Sequence, residues 1–158
     1  MTAFHKARAL SLLVPAALLG GAWGSQLIGH LVPCEMCHWQ RWPHYAALVV
    51  ALLAFVPRAP QRLLVLLAAL LIATSGVIGV LHAGVEYHWW PGFTACTAAI
   101  GGATNADVLK SIMNTPIVRC DAPQWQMFGI SLAGFNAIIS LGSALAILFL
   151  LTRRSRVA

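Results

Sequence analysis

Residues 63–85 read LLVLLAALLIATSGVIGVLHAGV, an unbroken run without Asp, Glu, Lys or Arg. A bilayer core of about 30 Å is crossed by a helix of about 20 apolar residues, so this run is long enough to span. Three other charge-free runs surround it, at 9–34, 42–57 and 122–152. The first and last are also long enough. The second is short and carries Pro43 and His44 at its entrance. Its stretch YAALVVALLAFV at 45–56 is nevertheless almost wholly apolar, and 38–43 can extend it through the headgroup layer. A span is therefore expected there in preference to a re-entrant hairpin. The stretch 87–106 also lacks charge, but Pro91, Gly92, Gly101, Gly102 and Asn105 break it. Irregular backbone is not tolerated facing lipid, so this stretch is a loop.

Composition agrees with that reading. Of 158 residues 59% are apolar and 9% charged, against roughly 25% charged in a soluble domain. Too little charge is present to cover a soluble surface, and far too much apolar residue for a disordered chain. The net charge of +6 is not gathered into a basic stripe, which argues against nucleic acid as a partner. No strand, glycine-rich loop and helix unit suited to a flavin or nicotinamide is evident. The expected fold class is all-α: a single integral membrane domain, a four-helix bundle with spans 9–30, 43–57, 63–85 and 127–151. Two outer loops, 31–42 and 86–126, join the spans.

The charges orient this bundle. Lys6, Arg8, Arg58, Arg62, Arg153, Arg154 and Arg156 fall on one side, and Arg41, Lys110, Arg119 and all four acids on the other. The sides carry +7 and −1, and cytoplasmic loops are the ones rich in Lys and Arg. Both termini are expected on the cytoplasmic side. The run 9–24 could instead be the apolar core of a signal peptide, but it continues to Val32, which favours a retained helix. Trp39, Trp42, Tyr45, Tyr87, Trp89, Trp90 and Trp125 gather on the outer side, mostly as an interfacial belt. Gly20, Gly24, Gly76, Gly79, Gly129, Ala133 and Gly134 are expected to let helices approach closely.

The chemistry lies in the cysteines. All four, Cys34, Cys37, Cys96 and Cys120, fall on the outer face, where disulfides persist. Four cysteines allow three pairings. Cys34-Glu35-Met36-Cys37 closes a very small ring, whose usual value is redox exchange rather than stability. Cys96 and Cys120 lie in the long second loop, whose Gly101 and Gly102 suggest freedom to move. Other readings compete: a structural staple, a zinc site without a second close pair, and c-type haem attachment through Cys34-x-x-Cys37-His38. The haem reading would make the chain a membrane-anchored c-type cytochrome, but it leaves Cys96 and Cys120 unused.

Pro33-Cys34-Glu35-Met36-Cys37-His38-Trp39-Gln40-Arg41 resembles the first-loop signature of the DsbB family of bacterial disulfide bond formation proteins. Trp90-Pro91-Gly92-Phe93-Thr94-Ala95-Cys96 and the segment from Cys120-Asp121 to Trp125 resemble its second loop. One departure is His38, where an apolar residue is frequent. The resemblance implies a quinone-dependent protein disulfide oxidoreductase of the bacterial inner membrane. Such a protein reoxidises a periplasmic DsbA-type thiol oxidase and passes the electrons to ubiquinone or menaquinone. It further implies that the partner thiolate attacks Cys96, that Cys120 is released to attack Cys34, and that Cys37 faces the quinone. A vitamin K epoxide reductase relative shares the broad plan, but its active Cys-x-x-Cys belongs late in the bundle.

Three further residues are candidates for the quinone site. Arg41 lies four residues after Cys37, hence one helical turn along the same face, and can bind a quinone carbonyl and favour a thiolate. An interfacial anchor snorkelling to lipid phosphate is its alternative. His82 and Glu86, one turn apart near the outer end of the third span, can relay protons or simply satisfy one another. The segment 107–113 places Val108, Leu109, Ile112 and Met113 on one face, as a short helix lying on the bilayer would.

Overall fold

Helix α3 (Gln61–Glu86) is the element on which the other long helices pack. The structure, a computed structural model, describes residues 2–92, 94, 104–114 and 118–153. In chain order its elements are α1 (Ala3–Leu27), α2 (Glu35–Leu53), α3, α4 (Asn105–Asn114), the strands β1 (Gln126–Met127) and β2 (Ile130–Ser131), and α5 (Leu132–Thr152). α2 and α5 pack on α3, and α1 closes the group against α2 and α5. Three helices, α1, α3 and α5, are long and apolar enough to cross a membrane. The chain is thus a mostly helical, multi-pass membrane protein. α2 falls outside that description because Glu35, His38, Gln40, Arg41 and His44 crowd its first turns. Cys96, Gly101, Gly102, Arg154 and Arg156 lie outside the described residues.

Caps explain where the helices depart from the expected spans. α1 starts at Ala3, well before residue 9, because the Thr2 hydroxyl accepts the His5 N–H at 3.3 Å. α2 starts at Glu35 rather than 43: Cys34 is extended, and its sulfur accepts the Cys37 N–H at 3.3 Å. The expected first loop therefore shrinks, and the Cys-x-x-Cys sits on a helix start. α5 starts at Leu132, not 127. The preceding β1–β2 hairpin turns through Phe128 and Gly129, both left-handed (φ 54° and 76°), as a tight two-residue hairpin turn requires. Ser131 then caps α5 by accepting the Gly134 N–H at 3.1 Å. The Tyr87 hydroxyl fastens this hairpin to the end of α3, accepting from Ser131 N–H and donating to Gly129 O. The short helix expected at 107–113 is present as α4. Thr104 and Asp107 cap it reciprocally, each side chain taking the other's backbone N–H at 3.2 Å. Leu109 and Met113 are exposed on it.

Small residues set the helix spacing where α3 meets α5. A Cβ at Gly76 would stand 2.8 Å from Leu141 Cγ, and one at Gly79 3.0 Å from Ala133 O and Ala137 N. Gly134 is likewise hemmed by Ile130. The same role expected for Gly20 and Gly24 is not met, since nothing lies within 4 Å of a Cβ at either, and Gly129 serves its turn instead. Buried apolar residues form two clusters. One joins Ala7, Ala47, Ala54, Val65, Ile72 and Ile147 at the end nearer the termini. The other gathers Cys34, Met36, Val85 and Cys120 at the opposite end.

Candidate functional site

The second cluster is built on the cap of α2. Cys34 and Cys37 sit three residues apart across the helix start, which brings their sulfurs to 2.9 Å. That is too long for the roughly 2.05 Å of a disulfide and short enough for ready exchange between dithiol and disulfide. The two thiols are unequal. Hydrogen bonding to Cys37, then burial, pushes the Cys34 thiol above its ordinary range. Cys37, which receives that hydrogen bond, is held below it despite its burial.

α3 supplies the next layer. His82 is 2% exposed, and its Nε2 lies 3.5 Å from Cys34 Sγ and 3.7 Å from Glu86 Oε1. The amide nitrogen of Gln40 donates to Met36 O, which fixes its orientation, and also approaches His82 Nδ1 at 2.7 Å. In the neutral imidazole Nδ1 is then the acceptor, so the ring proton sits on Nε2 and faces Cys34. The His82 ring also lies beside Cys120. Cys120 is fully buried, and its sulfur, that of Cys34 and a His82 nitrogen all lie within 4.8 Å of one another. Three such atoms can in principle hold a metal, but Cys120 is disulfide-bonded and has no thiolate to offer. Nearby, Gln124 donates to Val32 O at 2.6 Å, tying the segment after Cys120 to the approach to Cys34. Trp90 closes the cluster. Its ring covers Gly84, where a Cβ would collide with it, and its indole N–H donates to Leu81 O.

Arg41 turns away from these sulfurs toward α1. It donates to Gln26 Oε1 at 2.8 Å and Ala22 O at 3.1 Å, and its guanidinium stands 5.7 Å from the Trp23 ring centroid. Two cavities meet along this side. The smaller, about 50 Å³, is lined by Cys34, Cys37, Arg41, His82, Glu86 and Arg119 among others. The larger, about 220 Å³, lies between α1, α2 and α5. Cys37 and Arg41 line it too, beside apolar Leu18, Leu19, Ala133 and Phe135. The expected pairing of Arg41 with Cys37 on one face thus brings both to the same cavity walls. His82 and Glu86 line only the smaller cavity of the two.

One part of the site was not anticipated from sequence. Asn136 on α5 donates to Gln40 Oε1, Ser75 O and Ser75 Oγ at 2.8–3.2 Å, and Ser75 donates to Gln40 O. His44 and Ser140 meet the Asn136 carbonyl oxygen at 3.0 Å each. A buried polar network therefore runs from Cys34 through His82, Gln40 and Asn136 to His44. Its sequence signal was a handful of polar residues inside apolar runs, which in membrane segments mark function by default.

Comparison with known proteins gives a consistent picture. The family model described as "Disulfide bond formation protein DsbB" matches residues 5–150. Disulfide bond formation protein B of Dechloromonas aromatica (strain RCB) is 29% identical over 142 residues, covering 83% of this chain and 82% of that protein. An uncharacterised protein of Rickettsia prowazekii (strain Madrid E) is 23% identical over 126 residues, covering 78% and 73%. No solved structure matches significantly. None of these matches supports the cytochrome reading.

Proposed function

Since the chain belongs to the DsbB family of disulfide oxidoreductases of the membrane, we propose that it reoxidises a periplasmic DsbA-type thiol oxidase and delivers the electrons to membrane quinone. The observation that carries this reading is the approach of the Cys120 sulfur to that of Cys34 within 4.8 Å. Thiol–disulfide exchange needs a thiolate in reach of a disulfide sulfur, and this approach supplies it. In this scheme Cys96 pairs with Cys120, and Cys34 with Cys37. A partner thiolate attacks Cys96, forming a mixed disulfide and releasing Cys120 as a thiolate. Cys120 attacks Cys34, and Cys37 leaves as a thiolate. The partner's second thiol then displaces Cys96 and departs oxidised. Cys96 attacks Cys120, restoring that disulfide and leaving Cys34 and Cys37 as a dithiol. Two electrons and two protons must leave the dithiol to close the cycle.

The larger cavity suits a quinone: an apolar pocket with the Cys37 sulfur and the Arg41 guanidinium on its wall. The chemistry that ubiquinone or menaquinone supplies when bound is the uptake of those two electrons and two protons. Arg41 would hold a ring oxygen and stabilise negative charge developing there. His82, with its N–H facing Cys34, would stabilise the Cys34 thiolate, and the Glu86 carboxylate beside it would take up the proton. The orientation proposed puts both termini in the cytoplasm of the bacterial inner membrane, α2 as the fourth span, and all cysteines in the periplasm. Purified protein, a reduced DsbA-type partner and a short-tailed quinone should together give partner oxidation with stoichiometric loss of quinone absorbance. Failure of the wild-type protein to oxidise the partner would overturn the reading.

A further inference from the structure

We propose that His44 is a binding residue for the quinone headgroup, selective for its reduced form. The inference rests on the quinone reading above and adds a contact that neither the sequence motifs nor Arg41 supplies. Cys37, Arg41 and His44 fall at spacings of four and three residues, so they form one stripe along α2. All three line the cavity of about 220 Å³ between α1, α2 and α5. With a rise of about 1.5 Å per residue, His44 lies roughly 10 Å from Cys37 along the helix, on the far side of Arg41. A ring held by Arg41 at one oxygen would present its opposite oxygen in the direction of His44.

The polar network fixes what His44 offers there. Asn136 spends its amide N–H groups on Ser75 O, which can only accept, and on Gln40 Oε1. Its Oδ1 therefore faces His44 Nε2 at 3.0 Å and also accepts from Ser140. The neutral imidazole must carry its proton on Nε2, which leaves Nδ1 as a bare acceptor. His44 is 3% exposed, and its Nδ1 has no hydrogen-bond partner among the described residues. A buried acceptor left without a donor is a costly exception among buried polar groups. The oxidised headgroup carries acceptors but no donor on its ring and cannot supply one. The reduced headgroup carries hydroxyls and can. The two hydroxyl protons balance the two lost by the Cys34–Cys37 dithiol, so no outside reductant or acid is needed. His44 would thus favour the product of the reaction and pull the dithiol toward its disulfide.

The test is equilibrium binding to the purified protein in detergent, with short-tailed ubiquinone and menaquinone analogues, each supplied oxidised and reduced. His44→Phe should weaken binding of the reduced analogue up to about tenfold, the worth of one hydrogen bond, and change the oxidised analogue less than about twofold. Equal weakening of both, or of neither, would overturn the proposal. A second measurement uses unaltered protein labelled with ¹⁵N-histidine. The Nδ1 resonance of His44 should move on adding the reduced analogue and stay put on adding the oxidised one. If both analogues bind and that resonance is unmoved by either, His44 alone is removed from the site. If neither analogue binds, the quinone reading falls together with this one.

Discussion

The two ends of the bundle solve opposite problems with the same helices. Near the termini, Ala7, Ala47, Ala54, Val65, Ala69 and Ile72 make a dry contact of small and branched side chains. At the cysteine end the same α2, α3 and α5 enclose Gln40, His44, Ser75, His82, Glu86 and Ser140, all buried and polar. Helices in lipid gain nothing from burying apolar groups against one another, because lipid is equally apolar. The dry end is therefore held by close fit, and the polar end by hydrogen bonds that have no alternative partner in hydrocarbon. One end can lose a methyl group and keep its chemistry. The other concentrates the chemistry and has little slack.

The comparison breaks most visibly at a single sulfur. Cys37→Ala should reduce quinone turnover to background while leaving helix content and thermal stability near wild type, as read by quinone absorbance and circular dichroism. Cys120→Ala should instead trap the partner on Cys96 as a mixed disulfide visible on non-reducing gels. Next comes Gly84→Ala, which pushes a Cβ into the Trp90 ring. Overpacking of that kind costs about 1–3 kcal/mol, and Trp90 should show the displacement by altered fluorescence. At the dry end, Ile72→Ala opens a cavity; without the full water-transfer penalty, about 1–2 kcal/mol of stability should go, with activity per folded molecule unchanged. Arg41→Met should raise the apparent KM for quinone about tenfold while partner exchange survives, and Arg41→Lys should rescue in part. The smallest effect belongs to Asp121, whose carboxyl the Arg119 guanidinium holds below the ordinary range. A depressed carboxylate adds stability at neutral pH and loses it as pH falls through the folded-state value. Because Arg119 is exposed, Asp121→Asn should leave neutral-pH melting nearly unchanged and flatten only its acid limb.

What sequence conveyed about these ends was unequal too. The apolar runs and the Cys-x-x-Cys were legible because each is contiguous: a span needs only length, and an exchange pair only spacing. Helix starts were not legible where the signal was a side chain acting as a cap. Cys34 is an uncommon cap, and Phe128-Gly129 lacks the Asn-Gly or Asp-Gly that usually announces a tight hairpin. The partners of Arg41, Gln26 and the Ala22 carbonyl, lie on another helix, and so do those of His44. Contacts between helices depend on how the helices are rotated, which no local pattern states. Gly20 and Gly24 mislead for the same reason, having a close-packing spacing on a face where nothing packs.

The double duty of Cys34 has a consequence of its own. Its sulfur holds the Cys37 amide proton while also being a sulfur that changes its bonding partner during exchange. A reduced sulfur is a better acceptor than one locked in a disulfide. The rate at which that one amide trades its proton for deuterium should therefore keep time with the redox cycle. It should be slower when Cys34 is reduced and faster when it is bonded in a disulfide. The helix start is in effect a clock face, readable without a dye, a label or the partner.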